Sequence, residues 1–110
     1  MNIEIRELQD VSIVAFDGNL DTNTSPEAEL KINELIDNGA QKLLVNFENL
    51  NFIASSGLRV LLATAKKLKA SGGDLRICEL NATVQEVFDI SGFVTILSVV
   101  GTEAEALSSF

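Results

Sequence analysis

The chain contains no histidine, tryptophan or tyrosine, and only one cysteine and one proline. Without histidine it can have no Ser-His-Asp triad, no Cys-His pair and no imidazole ligand for zinc. The single cysteine, Cys78, cannot form an internal disulfide, which fits a reducing compartment. General acid and base groups are limited to scattered carboxylates and lysines, so we expect no enzyme activity.

Positive charge is also scarce, with 8 Lys+Arg against 16 Asp+Glu and a net charge of −8. Residues 49–73 contain no acidic side chain. They hold four of the basic ones, namely Arg59, Lys66, Lys67 and Lys69. An acidic chain disfavours nucleic acid and anionic membranes as partners, whereas a protein partner of matching charge remains open.

Long apolar runs are absent as well. The first residues alternate apolar and charged side chains and contain no signal-peptide core, and no stretch approaches the roughly 20 apolar residues of a membrane helix. We expect a soluble, cytoplasmic protein without membrane insertion. The 110 residues and ordinary composition predict one domain over residues 1–110, compatible with a monomer.

Strand and helix patterns alternate along the chain. A hairpin is predicted from Ile3 to Phe16, because short apolar and β-branched runs flank a polar break. Further strands are predicted at residues 42–47, 74–79 and 95–100. The order ββαβαβαβα predicts an α/β fold with a mixed, mainly parallel sheet, an N-terminal hairpin and about four helices.

Helix limits follow from capping residues and apolar spacing. The first helix is expected to begin near Ser25-Pro26, to turn Leu30, Ile32, Leu35 and Ile36 inward and to end at Asn38-Gly39. The second follows Ser56, has an apolar stripe from Leu58 to Leu68, and ends at residues 71–73. Asn81 and Thr102 are predicted to cap the last two helices.

Small polar residues dominate two predicted loops, residues 18–25 and 51–58, at the C-terminal ends of strands, where ligands and partners bind α/β sheets. Asp17 and Asp21 could approach a cation, but such residues are more often turn formers, and we expect no metal site. Cys78 lies in a predicted strand, where a buried structural thiol is favoured over a reactive one.

Ser55-Ser56-Gly57 directly precedes the basic helix. The simplest interpretation is a serine N-cap. A helix N-terminus also favours phosphate, and Arg59, three residues on from Ser56, could pair with it. The segment has neither the flanking glycines of a nucleophile elbow nor the Gly-Lys-Ser/Thr of a P-loop.

Together these residues resemble a known family. The resemblance rests on segments distributed over nearly the whole chain: Gly18-x-Leu20-Asp21, Leu43-Leu44-Val45-Asn46-Phe47, Phe52-Ile53-Ala54-Ser55-Ser56-Gly57-Leu58, Gly72-Gly73 and Val87-Phe88-Asp89-Ile90-Ser91-Gly92. The set is similar to the STAS domain of bacterial anti-sigma-factor antagonists.

The resemblance implies a partner switch without catalysis of its own. The unphosphorylated domain would bind an anti-sigma factor that is also a serine kinase, and so free a sigma factor. The kinase would bind the ATP, so this chain needs no cofactor, and a serine phosphatase would reverse the modification. On this resemblance Ser56 is the phosphorylated residue, and Asp21, Ser55, Gly57 and Leu58 belong to the partner-binding surface. We expect Arg59 to belong to it as well.

One position departs from the family pattern. Many members carry an acidic residue two positions before the phosphorylated serine, where this chain has Ala54. Its absence leaves an alternative open, in which the chain is an unphosphorylated STAS adaptor subunit of a lipid-transport ABC complex.

Overall fold

The computed structural model describes residues 1–110 as one five-stranded sheet with four α-helices. The elements are β1 (Asn2–Leu8), β2 (Val11–Leu20), α1 (Ser25–Asp37), β3 (Lys42–Ile53), α2 (Ser55–Ala70), β4 (Asp74–Cys78), α3 (Ala82–Ser91), a 3₁₀ turn (Phe93–Thr95), β5 (Val99–Val100) and α4 (Glu103–Ser108). The predicted α/β class and the order ββαβαβαβα are confirmed. None of the helices combines the length and apolar character needed to cross a bilayer.

The strands are arranged in chain order from β1 to β5. β1 pairs antiparallel with β2, and the remaining pairs are parallel. Right-handed crossovers that advance in one direction place α1, α2 and α3 on the same face of the sheet. The larger core, of 19 buried residues, lies on that face, whereas Ala106 of α4 packs in a smaller cluster with Val11, Ile13, Leu44 and Cys78.

β2 and β3 are longer than predicted. They remain paired through Gly18↔Leu50 to Leu20↔Ile53, with register shifts that accommodate irregular positions. The expectation of loops at residues 18–25 and 51–58 was therefore wrong for the first part of each segment. Backbone pairing satisfies the amides and carbonyls of these residues even where their side chains are polar.

The burial of one helix residue and the bounds of the last two strands also differ from the sequence prediction. Leu30 is exposed, because α1 buries Ala28 and Ile32 and its inward stripe is shifted around the helix axis. The last strand is reduced to Val99–Val100, because the chain leaves α3 through left-handed Gly92 and forms the 3₁₀ turn before it reaches the sheet. β4 ends at Cys78, and Glu79 has a φ of 61°.

Candidate functional site

The paired ends of β2 and β3 bring the starts of two helices together. The Ala54 amide donates to the Leu20 carbonyl at 2.9 Å, which joins the two strand ends. α1 begins at Ser25 and α2 at Ser55, so the positive ends of two helix dipoles lie at one edge of the sheet.

Ala54 is the N-cap of α2. Its backbone is extended, and its carbonyl accepts from the amides of Gly57 and Leu58 at 3.0 and 3.1 Å. No side chain caps the helix, so the serine N-cap interpretation was wrong. Ser55 and Ser56 lie one and two residues too late for that position, inside the first turn, where Ser55 is exposed and Ser56 is half-buried.

The Ser56 hydroxyl contacts a buried serine of α1. Ser25 Oγ lies 3.3 Å from Ser56 Oγ and donates to the Asp21 carbonyl oxygen at 2.5 Å. A serine hydroxyl has one proton, so Ser25 Oγ donates either to the Asp21 carbonyl or to Ser56 Oγ, and the Asp21 carbonyl is the nearer acceptor. The structure thus links Asp21 to Ser56 through Ser25.

Asp21 organises the turn that leads into α1. Its Oδ1 accepts from the amides of Asn23 and Thr24 at 2.9 and 3.1 Å, and Thr24 Oγ1, which donates to the Asn19 carbonyl at 2.7 Å, lies 3.2 Å from it. Its own amide donates to Thr24 Oγ1, and its carbonyl also accepts from the Ser25 amide. One carboxylate oxygen therefore shapes the turn, while Oδ2 accepts no hydrogen bond within the chain.

Two of the predicted contact residues face the protein interior. A Cβ at Gly57 would lie 2.8 Å from Leu20 Cγ and 2.9 Å from Ile53 Cγ1, closer than real Cβ contacts. Leu58 is buried in the larger core. The structure gives both residues packing roles, since they let α2 begin directly against the ends of β2 and β3.

A shallow groove between α1 and α2 exposes two of the remaining site residues, Ser56 and Arg59, whereas Asp21 and Ser55 lie outside its lining. It is called the α1/α2 groove below, and it is lined by Thr22, Ser25, Pro26, Glu29, Ser56, Arg59, Val60 and Ala63. Arg59 forms no ion pair and lies one helical turn beyond Ser56, so the two side chains are neighbours on α2.

The other basic residues of α2 differ in their contacts. Lys67 Nζ lies 3.2 Å from Asp37 Oδ1 and 3.3 Å from Asn33 Oδ1, so it connects α2 to α1. Lys66 and Lys69 form no ion pair. Arg59 is thus the basic side chain of this helix that lines the α1/α2 groove.

Cys78 lies in the smaller cluster on the opposite face of the sheet. Burial raises the pKa of its thiol to about 12, and the nearby carboxylates of Glu79 and Glu103 add to the effect. A thiol with so high a pKa stays protonated at neutral pH and is a poor nucleophile.

Ser25 was absent from the predicted site. It is 31 residues from Ser56 in the chain, and its polar side chain is only 5% exposed. The sequence could have indicated Ser25 through its position shortly after β2, just as Ser56 comes shortly after β3. The C-terminal ends of parallel strands lie at one edge of the sheet, so residues that follow them come close together.

Comparison with known proteins agrees with this architecture. The STAS domain family matches residues 2–106. An anti-sigma F factor antagonist of Paenibacillus polymyxa is 31% identical over 109 residues, covering 98% of this chain and 93% of the relative. The chain therefore belongs to the STAS domain family.

Solved structures show the same fold. An anti-sigma factor antagonist from Mycobacterium paratuberculosis has a TM-score of 0.91 at 21% identity, with 98% of this chain and 92% of that chain covered. The Bacillus cell fate determinant SpoIIAA, solved in its phosphorylated form, has a TM-score of 0.74 at 26% identity and covers 98% of both chains.

Proposed function

We propose that this chain is an anti-sigma factor antagonist that acts by switching partners in the cytoplasm. In the unphosphorylated state it binds an anti-sigma factor with serine kinase activity, which frees a sigma factor for transcription. Phosphorylation of Ser56 releases it, and a serine phosphatase restores the binding form. The chain is a regulator and a substrate, with no catalysis or bound cofactor of its own.

The position of Ser56 carries this proposal. Its hydroxyl is half-buried in the first turn of α2 and opens into the α1/α2 groove, so a kinase can reach it without unfolding the helix. The names of near full-length relatives, antagonists of anti-sigma factors F and B, support the same assignment.

The surrounding charge explains how a phosphate can act as a switch. It adds a charge of about −1.5 to −2 and three acceptor oxygens beside Arg59. A partner that packs an acidic patch or a closely fitting loop against the groove would meet this charge in a partly desolvated contact, where repulsion and desolvation of a few kcal/mol are expected. Because about 1.4 kcal/mol is tenfold in affinity, that repulsion suffices for release.

The phosphoryl transfer needs a partner that supplies the catalytic groups. Ser56 Oγ bonds to the γ-phosphorus of ATP while the bond from that phosphorus to the β,γ-bridging oxygen breaks, and ADP leaves. The hydroxyl proton passes to a base of the kinase, because the side chain of Ser56 forms a hydrogen bond only with the Ser25 hydroxyl in this chain and the chain has no histidine.

The test is phosphorylation by the anti-sigma factor kinase of the same organism. The purified chain is incubated with kinase and ATP, and the modified residue is mapped by mass spectrometry. We expect one phosphate on the wild type and on Ser55→Ala, and none on Ser56→Ala. Ser55 is the matched control because it is the exposed neighbour in the same turn. Modification that persists in Ser56→Ala would refute the assignment.

Ala54 favours the adaptor as the second candidate function. This N-cap residue has no carboxylate to contact a kinase or to cap α2. An adaptor of a lipid-transport ABC complex would use the same groove without modification. Stable association with the ATPase subunit, with no phosphate transferred by the kinase, would select this candidate.

A further inference from the structure

The Ser25 hydroxyl lies between the Asp21 turn and Ser56. Its oxygen is 2.5 Å from the Asp21 carbonyl oxygen and 3.3 Å from Ser56 Oγ. Because Ser25 is only 5% exposed, bulk water offers its hydroxyl little alternative. A hydroxyl has a single proton, so Ser25 can donate either to the Asp21 carbonyl or towards position 56.

A phosphate on Ser56 changes this choice. The Oγ atom becomes an ester oxygen, which has no proton to donate. The phosphate also brings charged acceptor oxygens, which form hydrogen bonds roughly twice as strong as a neutral carbonyl does. The Ser25 hydroxyl should therefore rotate and donate its hydrogen bond to the phosphate instead of to the Asp21 carbonyl.

The start of α1 offers few other donors. The Ser25 amide is already bonded to the Asp21 carbonyl at 2.8 Å, and Pro26 has no N–H. The Ser25 hydroxyl is thus the donor through which the first two residues of α1 can respond to a phosphate on α2.

We propose that Ser25 is a positioning residue that transmits phosphorylation of Ser56 to the Asp21 turn. When its hydroxyl turns to the phosphate, the Asp21 carbonyl loses one of its two hydrogen bonds and keeps the one from the Ser25 amide. The turn that presents the Asp21 carboxylate is loosened as a result. This inference rests on the proposed function, because it takes Ser56 as the phosphorylated residue.

The experiment installs phosphoserine at position 56 during translation, so it needs no kinase. The carbonyl carbon shift of Asp21 and the amide shifts of Thr22 are measured by NMR with and without the phosphate, in the wild type and in Ser25→Ala. Ser25→Cys keeps the side-chain volume with a weak donor, and it provides the same comparison if the alanine variant does not fold. Phosphoserine at position 55 is the matched control.

In the wild type we expect the Asp21 carbonyl to shift upfield on modification of Ser56, as it does when a hydrogen bond is lost. In Ser25→Ala, where that bond is already missing, the shift should be absent, and phosphate on Ser55 should not cause it. An unmoved Asp21 carbonyl in the wild type, or an equal shift in Ser25→Ala, would overturn the inference. Failure of the kinase to modify Ser56 would instead contradict the proposed function and leave this NMR result unchanged.

Discussion

Replacing Ala54 with aspartate should stabilise the protein by completing the N-cap of α2. Ala54 already has the extended backbone of an N-cap, with φ −95° and ψ 172°, and no side chain caps this helix. An N-cap aspartate in place of alanine contributes about 1 kcal/mol by accepting from the free amides of the first turn. For a domain of this size, about 1 kcal/mol raises Tm by roughly 4 °C.

The assay is thermal unfolding followed by circular dichroism, since the chain has no tryptophan or tyrosine for fluorescence. Ala54→Asn is the matched control, because it caps without a charge. A capping aspartate has a lowered pKa in the folded state, so its gain is complete above the unfolded pKa of about 3.9 and is lost as pH falls through the folded value. The asparagine gain should not depend on pH in this range.

Each outcome has a physical meaning. Equal gains at neutral pH indicate a hydrogen-bonded cap, whereas a gain with aspartate alone indicates interaction with the helix dipole. If neither variant raises Tm, the start of α2 needs no side-chain cap and the reasoning is refuted.

Three further predictions concern the site and the core. Gly57→Ala should lower the unfolding free energy by about 1–3 kcal/mol in a chemical denaturation assay, because its methyl group would overlap Leu20 and Ile53. Gly101→Ala is the control and should cost far less, because its methyl group would meet nothing closer than 3.6 Å. The Cys78 thiol should resist alkylation at pH 8 until the protein is denatured. Because the pKa of this thiol is about 12 in the folded state and 9.0 in the unfolded state, its contribution to stability is complete below about pH 9 and is lost as pH rises towards 12. Cys78→Ala should reduce this decline. Arg59→Glu should weaken binding of the anti-sigma factor kinase roughly tenfold or more, as measured by calorimetry. Lys69→Glu, about 15 Å further along the helix, should leave the affinity nearly unchanged. Equal effects of the two variants would exclude a specific role for Arg59.

The sequence predicted the regular parts of the fold because local patterns determine them. The apolar run at residues 42–47 is the buried centre of β3, and the polar caps at Asn81 and Thr102 accept from the amides of Val84 and Glu105. These signals lie within a few residues of the structure that they specify.

The missed features depend on distant parts of the chain. β2 continues past Gly18 because β3 offers partners there, which no pattern in residues 17–20 reveals. The contact between Ser25 and Ser56 needs both crossovers to be complete before the two side chains meet. The motif around Ser56 could therefore indicate the proposed phosphorylation site, whereas the contact of Ser56 with Ser25 is visible only in the folded structure.

The length of β2 and β3 also affects how much backbone entropy this chain loses when it binds a partner, compared with the entropy that the partner loses. Strand pairing holds the chain in place to Leu20 and Ile53, directly before the two helix starts. A surface fixed in this way loses little backbone freedom on association, since no flexible loop has to be ordered. Any ordering that accompanies partner binding is then expected mainly in the partner rather than in this chain.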